Sequence, residues 1–217
     1  MNPNTPQLPP VSPLYEHHLK RPLDLLLSMG ALLLLLPFLL VLALLLWLVQ
    51  GGNPLFLQTR VGRGGRKFRI IKFRTMNNTR DSAGQLLPDA QRITRIGAML
   101  RRSSLDELPE LLNVICGDMS LIGPRPWIPE QMAHFSPSSQ ERRMRVRPGI
   151  SGLAQVMGRN DLTFRQRLRY DLLYRRHLSP ETDLWILWHT CGKVLRHDGI
   201  EQHPNAFGST NNSSVSR

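Results

Sequence analysis

The chain of 217 residues is long enough for one ordinary domain and an appendage, and its excess of Lys and Arg gives a formal net charge of +12. With a sequence pI near 11.1, its partners are expected to be acidic: nucleic acid, anionic lipid headgroups or phosphorylated substrates. The two cysteines, Cys116 and Cys191, make no C-x-x-C or disulfide framework, and the seven histidines form no cluster, which argues against a zinc site and for a reducing compartment.

Residues 1–19 are rich in proline (Pro3, Pro6, Pro9, Pro10, Pro13) and lack apolar periodicity, so a disordered tail is expected there. The apolar run after it starts too late for a signal peptide, and no small-residue cleavage site succeeds it. From Leu25 to Val49 there is no charge, and the run is long enough to cross a bilayer as one helix. Pro37 lies at its middle, where it removes a backbone hydrogen bond and bends the helix. Lys20 and Arg21 flank one end; Arg60, Arg63, Arg66, Lys67, Arg69, Lys72 and Arg74 lie beyond the other. Basic flanks on both sides fit a helix that enters, bends and returns, and they also suit an ordinary span. The residues alone leave both readings open.

Gly51-Gly52-Asn53-Pro54 reads as a turn. Leu55-Phe56-Leu57 and Phe68 to Arg74 then read as short strands around a Gly-rich turn, a hairpin close to the headgroups. Most of its basic residues suit lipid attraction, while Lys72 and Arg74 share one face and can reach a phosphate. Asn77 to Gln91 looks like a polar loop. Ile93 to Arg102 looks like a helix that delivers Arg101 and Arg102 to the start of a paired-carboxylate motif.

That motif is Ser104-Leu105-Asp106-Glu107-Leu108-Pro109. Ser-x-x-Glu ahead of an apolar run is a capping-box pattern, which would make Asp106 and Glu107 the second and third residues of a helix. Unpaired N–H groups and the helix dipole favour ionised carboxylates there. An ionised Asp is a competent nucleophile toward phosphorus, and a neighbouring carboxylate can hold a divalent cation. Taken alone, the same pattern is satisfied by a cap with no chemistry. Downstream, Gln140 to Val146 reads as a short basic helix, Arg147 to Gly152 as loop, Leu153 to Met157 as a brief strand, and Gly158 to Asp161 as a turn. Phe164 to His177 and Thr182 to His197 read as amphipathic helices, the second with a stripe of Leu184, Leu187, Trp188, Cys191 and Leu195. Residues 201–217 are expected to be disordered.

Taken together, Lys20-Arg21 with Asp24, the proline-broken apolar helix, Lys72 to Met76, Leu87-Pro88-Asp89, Ser104 to Pro109, Gly117 to Pro126 and Pro148 to Val156 stand in a known order and spacing. From Lys20 to about Ile200 the chain resembles the bacterial sugar transferases, the monotopic polyprenyl-phosphate glycosyl-1-phosphate transferases. The resemblance implies an α+β, mostly helical fold: a re-entrant membrane helix over residues 20–50, and a cytoplasmic catalytic domain over 51–200 with a short β-hairpin and amphipathic interfacial helices. It implies a place on the cytoplasmic face of the bacterial inner membrane, among anionic lipids. One departure stands out: the family usually has Ser before the bend proline, and this chain has Leu36-Pro37, so a freed backbone carbonyl loses a hydroxyl partner.

The resemblance further implies that Asp106 attacks a UDP-sugar, expelling UMP, and that polyprenyl phosphate then takes the sugar phosphate from it. Glu107 is implied as ligand to Mg²⁺, and Lys72, Arg101 and Arg125 as phosphate-binding residues. Gly152 to Val156, Gly158 to Asp161, Tyr170-Asp171 and Tyr174 look most like members acting on N-acetylated amino sugars. Rival classes are a nucleic-acid binder, for which no reading module is present, a membrane-anchored non-catalytic scaffold, and a glycosyltransferase that releases UDP. Oligomeric state is not legible.

Overall fold

A computed structural model describes residues 6–158 and 161–196. Arg159 and Asn160 of the expected turn, and the expected tail 201–217, lie outside them. A π-helical turn, Tyr15–Leu19, runs into α1, Lys20–Gln50. A hairpin comes next, β1 Leu55–Val61 and β2 Lys67–Phe73, paired antiparallel from Leu55↔Phe73 to Val61↔Lys67. Then come α2 Asp89–Arg92, α3 Arg95–Ser103, a 3₁₀ turn Leu105–Glu107 and α4 Glu110–Cys116. The chain continues through β3 Ser120–Ile122, α5 Pro129–Met132, α6 Pro137–Arg143, β4 Gly149–Ser151 and α7 Leu153–Met157. It closes with α8 Phe164–Arg176 and α9 Pro180–Arg196. The architecture is α+β and mostly helical.

The most apolar element, α1, is a single helix with Pro37 inside it, and it is long and apolar enough to cross a membrane. Asp24, Ser28, Leu39, Leu42 and Leu46 are buried along it, with Leu32 and Leu35 partly so. That spacing of three and four residues is one stripe of a helix, and it rests on the domain from end to end. Near the start, Arg21 donates to the Val114 and Ile115 carbonyls, and Asp24 accepts from Ser120 Oγ at 2.7 Å and the Leu121 amide at 3.1 Å. At the other end Gln50 and Arg74 exchange three hydrogen bonds, so Arg74 fastens the helix end. The remaining faces, among them Leu26, Leu33, Leu34, Leu40, Val41 and Leu48, are exposed. Leu36 and Pro37 lie on that exposed side. Ser28 is buried with its Oγ unbonded, nine residues and about two and a half turns before Pro37.

The proline-rich start is not loose where it is described. Leu8 packs on the core with α8 and α9, the Ser12 amide donates to Leu178 O, and His177 Nδ1 lies 2.7 Å from Pro9 O. Buried Asp183 ties the knot, accepting from Tyr15 Oη at 2.7 Å, from Tyr174 Oη at 2.8 Å and from the Lys20 ammonium. Tertiary partners thus order a segment whose composition favours disorder.

Residues 149–151, expected to be loop, are a strand parallel to β3, with Ser120↔Gly149 and Ile122↔Ser151 as partners. Leu153–Met157, expected to be a strand, is helix α7. The glycines explain why two distant motifs meet here. A Cβ on Gly149 would lie 2.1 Å from Gly123 N, and one on Gly152 would lie 2.0 Å from Gly123 O, so backbone packs directly on backbone. On α9, Leu184, Leu187, Trp188 and Cys191 face outward while Ile186 is fully buried, so the sequence stripe is an exposed apolar face.

Asp183→Ala is expected to lower stability by about 3–5 kcal/mol, because it strands a buried ammonium and two hydroxyls. Tyr15→Phe should cost about 1 kcal/mol. Thermal unfolding in detergent measures both, and an Asp183→Ala midpoint equal to the parent's would show that this knot holds nothing.

Candidate active site

Pro109 decides the local geometry around the paired carboxylates. A helix begun at Leu105 would need the Pro109 amide to donate to the Leu105 carbonyl, and proline has no such donor. The chain instead closes a 3₁₀ turn, with the Leu108 amide on Leu105 O at 3.3 Å, and starts α4 afresh at Glu110. Ser104 is therefore not the helix cap that its spacing predicted. It ends α3 in the left-handed region (φ 57°, ψ 18°), and its carbonyl takes the Glu107 amide at 3.2 Å. Leu105 and Leu108, on either side of the carboxylates, pack into the cluster of Leu39, Leu42, Leu46, Phe73 and Leu100. The carboxylate turn is thus seated on α1.

Glu107 gathers the site. Its Oε1 accepts from Lys72 Nζ at 2.6 Å and from Arg125 Nη2 at 2.8 Å. Burial opposes its ionisation, but the charges of Arg125 and Lys72 prevail and hold it well below the usual carboxylate range. Asp106 is buried, and burial followed by the Glu107 charge raises its pKa to about 6, against the pull of Lys72, Arg101 and Arg125. Arg101 Nε donates to Thr75 Oγ1 at 2.8 Å, which aims its guanidinium from α3 toward this group. The structure therefore brings together Asp106, Glu107, Lys72, Arg101 and Arg125. Arg125 remains half-exposed, where an incoming anion can meet it.

Two residues of the site were given no role from sequence. Glu110 is almost fully buried, with Oε1 3.0 Å from Lys72 Nζ. Burial raises its pKa to about 7, with Lys72 opposing and Glu107 adding to the rise. Lys72 thus stands between two carboxylates. Asn113, also buried, imitates a strand: its Nδ2 donates to Arg69 O at 2.8 Å and its Oδ1 accepts from the Ile71 amide at 2.9 Å. That pair of bonds docks α4 on the edge of β2 and fixes the height of Lys72 against Glu107 and Glu110. The signal was present as a lone amide inside Leu111-Leu112-Asn113-Val114, where a polar residue needs a partner.

Other residues named from sequence lie elsewhere. Tyr170, Asp171 and Tyr174, taken as markers of an amino-sugar donor, are buried in the scaffold: Asp171 pairs with Arg143, and Tyr174 with Asp183. They line no site. Among the described residues, no group of three or more His, Cys, Asp or Glu is arranged to hold a metal by itself.

The bacterial sugar transferase family matches residues 15–197, and the chain belongs to it. Among its relatives is an uncharacterized sugar transferase, EpsL, of Bacillus subtilis, 44% identical over 76% of this chain and 83% of the relative. A UDP-glucose:undecaprenyl-phosphate glucose-1-phosphate transferase of Caulobacter vibrioides is 42% identical over 75% of this chain and 64% of its own length. A UDP-N-acetylgalactosamine-undecaprenyl-phosphate N-acetylgalactosaminephosphotransferase of Aeromonas hydrophila is 39% identical over 85% of this chain and 45% of its own.

Asn113→Leu, close in volume, should cost roughly 2–4 kcal/mol by leaving a donor and an acceptor of β2 unpaired. Turnover should fall with it as Lys72 loses its register. Thermal unfolding and an activity assay on the same preparation test this, and a fully active, equally stable variant would refute the docking role.

Proposed function

We propose that the chain transfers a sugar 1-phosphate from a UDP-sugar to polyprenyl phosphate, releasing UMP, with Asp106 as the nucleophile. Family membership and the relatives' activities make it a phosphoglycosyltransferase. The observation that carries the assignment of residues is the seating of Asp106. A buried carboxylate, ringed by Lys72, Arg101 and Arg125, stands on a turn packed against the most apolar helix of the protein.

In the first step an Asp106 oxygen attacks the phosphorus that bears the sugar. The bond from that phosphorus to the bridging oxygen breaks, UMP departs with the electron pair, and an aspartyl phospho-sugar remains. In the second, a phosphate oxygen of the polyprenyl acceptor attacks the same phosphorus and frees the carboxylate. Lys72, Arg101 and Arg125 supply fixed positive charge where the pyrophosphate lies, and Arg125 has the fork geometry for a bidentate contact. Lys72 and Arg125 both bond Glu107 Oε1, so the other oxygen of Glu107 is the hard carboxylate donor that would hold Mg²⁺ together with substrate phosphates. Bound there, Mg²⁺ would neutralise charge on the pyrophosphate and the departing UMP.

The membrane reading is a monotopic one, with α1 re-entrant at the inner leaflet and both of its ends on the cytoplasmic face. A helix of 31 residues is about 46 Å long, enough to span the hydrocarbon of a bilayer. Crossing it would part the ends, yet Arg21 and Asp24 at one end and Gln50 at the other are fastened to one domain. The exposed faces of α1, with Leu184, Leu187 and Trp188 of α9, supply apolar surface for lipid. The donor proposed first is an N-acetylated amino sugar, on the likeness of Gly152 to Val156; the relatives' names include such a sugar as well as glucose and galactose.

Incubation with labelled UDP-sugar alone, without lipid acceptor, should leave the label on the parent protein and none on Asp106→Asn. The variant should turn over at less than about 0.1% of the parent rate. Chelation should stop UMP release and added Mg²⁺ restore it, and full activity of Asp106→Asn would remove it as nucleophile. A cysteine-reactive probe applied from the periplasm should not label a cysteine placed in residues 1–14; labelling there would replace the re-entrant helix by a full span.

A further inference from the structure

Of the three cations at the site, Arg125 is the one carried by a loop. Lys72 is fixed by β2 and Arg101 by α3, whereas Arg125 lies in the turn Gly123-Pro124-Arg125-Pro126. The prolines restrict φ at 124 and 126, and Pro126 also biases Arg125 toward extended backbone; hydrogen bonds to the carbonyls hold the turn further. Four donors fix the carbonyls from Pro124 to Trp127, the first of them the Gly149 amide on Pro124 O at 3.0 Å. The Val61 amide takes Trp127 O at 3.0 Å, Arg60 Nη1 takes Pro126 O at 3.0 Å, and Arg143 Nη2 takes the carbonyl of Arg125 itself.

Arg143 is an unusual donor. It is 4% exposed, its Nε donates to Asp171 Oδ2 at 2.7 Å, and its guanidinium lies 4.2 Å from the centre of the Trp127 ring. Asp171 is 2% exposed. Two opposite charges so far from water cost much desolvation, and well-packed apolar side chains of similar volume are often as stable or more so. Stability alone does not account for the pair. What an apolar pair would lack is the donor on the Arg125 carbonyl.

We propose that Arg143, oriented by Asp171 and stacked on Trp127, is a positioning residue that aims the Arg125 guanidinium at Glu107 and at the donor's phosphate. It touches neither substrate nor reacting atoms and acts through the backbone of Arg125. The proposal rests on the reading of Arg125 as a phosphate ligand.

The test is a double-mutant cycle on the purified full chain in detergent, reading UMP release from a UDP-sugar with polyprenyl phosphate, beside thermal unfolding. Arg125→Ala should lower kcat/KM about 10- to 100-fold, the loss of a charge-assisted contact. Arg143→Met leaves buried Asp171 without its partner, so it should lower the unfolding midpoint; in the folded protein it should lower kcat/KM about tenfold, with the same division between kcat and KM as Arg125→Ala. Added to Arg125→Ala, it should lower kcat/KM by less than about twofold more, because the group it positions is gone. Asp171→Asn should show a smaller loss with the same non-additivity, and it carries the decision if Arg143→Met does not fold. Full multiplication of the two effects, or parental activity in folded Arg143→Met, overturns the proposal. Undiminished turnover in Arg125→Ala would instead overturn the phosphate reading of Arg125.

Discussion

The site depends on one carboxylate oxygen. Glu107 Oε1 holds both Lys72 and Arg125, and these reach it from the hairpin and from the turn after β3. Separate stretches of chain are thereby drawn to one point beside Asp106. Such a cluster is worth forming only where its charges are partly removed from water, since exposed ion pairs contribute little. Here Lys72 and Glu107 are largely buried, and Glu110 behind them gives Lys72 a second partner. Like charges are held apart by cations, and cations by carboxylates. Removal of one member leaves the others uncompensated, so the cluster is electrostatically cooperative.

That cluster does not stand apart from the most apolar helix of the protein. Leu105 and Leu108 couple the two, because the apolar residues flanking the carboxylates pack on the same stripe of α1 that Phe73 and Leu100 cover. The stripe then continues to Ser28 and Asp24, where polar contacts to β3 take over. One face of the helix is therefore domain core and the others are apolar surface. The usual division of an amphipathic helix into apolar and polar faces is replaced by two apolar faces with different solvents. This is also why the helix is apolar almost throughout, and why composition alone could not separate a span from a helix laid along its own domain.

Around this core the scaffold is built from backbone approaches and buried polar groups whose partners are far away in sequence. Gly123, Gly149 and Gly152 let β3, β4 and the start of α7 touch without side chains between them. Asn113 completes the edge of β2. Arg143 and Asp171 stand behind the turn that carries Arg125, and Asp183 binds the N-terminal segment to α8. These groups are satisfied as pairs and triads, which is the condition under which buried polarity does not destabilise a fold.

By itself the sequence determined the apolar helix, the hairpin with its Gly-rich turn, helices α3, α8 and α9, and the charged residues that meet at the site. These rest on periodicity, turn chemistry and short motifs, all of which act over a few neighbouring residues. The family is legible in the same motifs in register. Tertiary structure alone decided that Ser104 is a left-handed junction, that Arg74 serves the end of α1, and that 149–151 pairs as a strand. It also decided that the proline-rich segment is tied down, and that Tyr170, Asp171 and Tyr174 belong to the core. In each case a partner distant in the chain outweighs the local preference. The free energy of a buried hydrogen bond or ion pair depends on what stands opposite, and no local pattern carries that information.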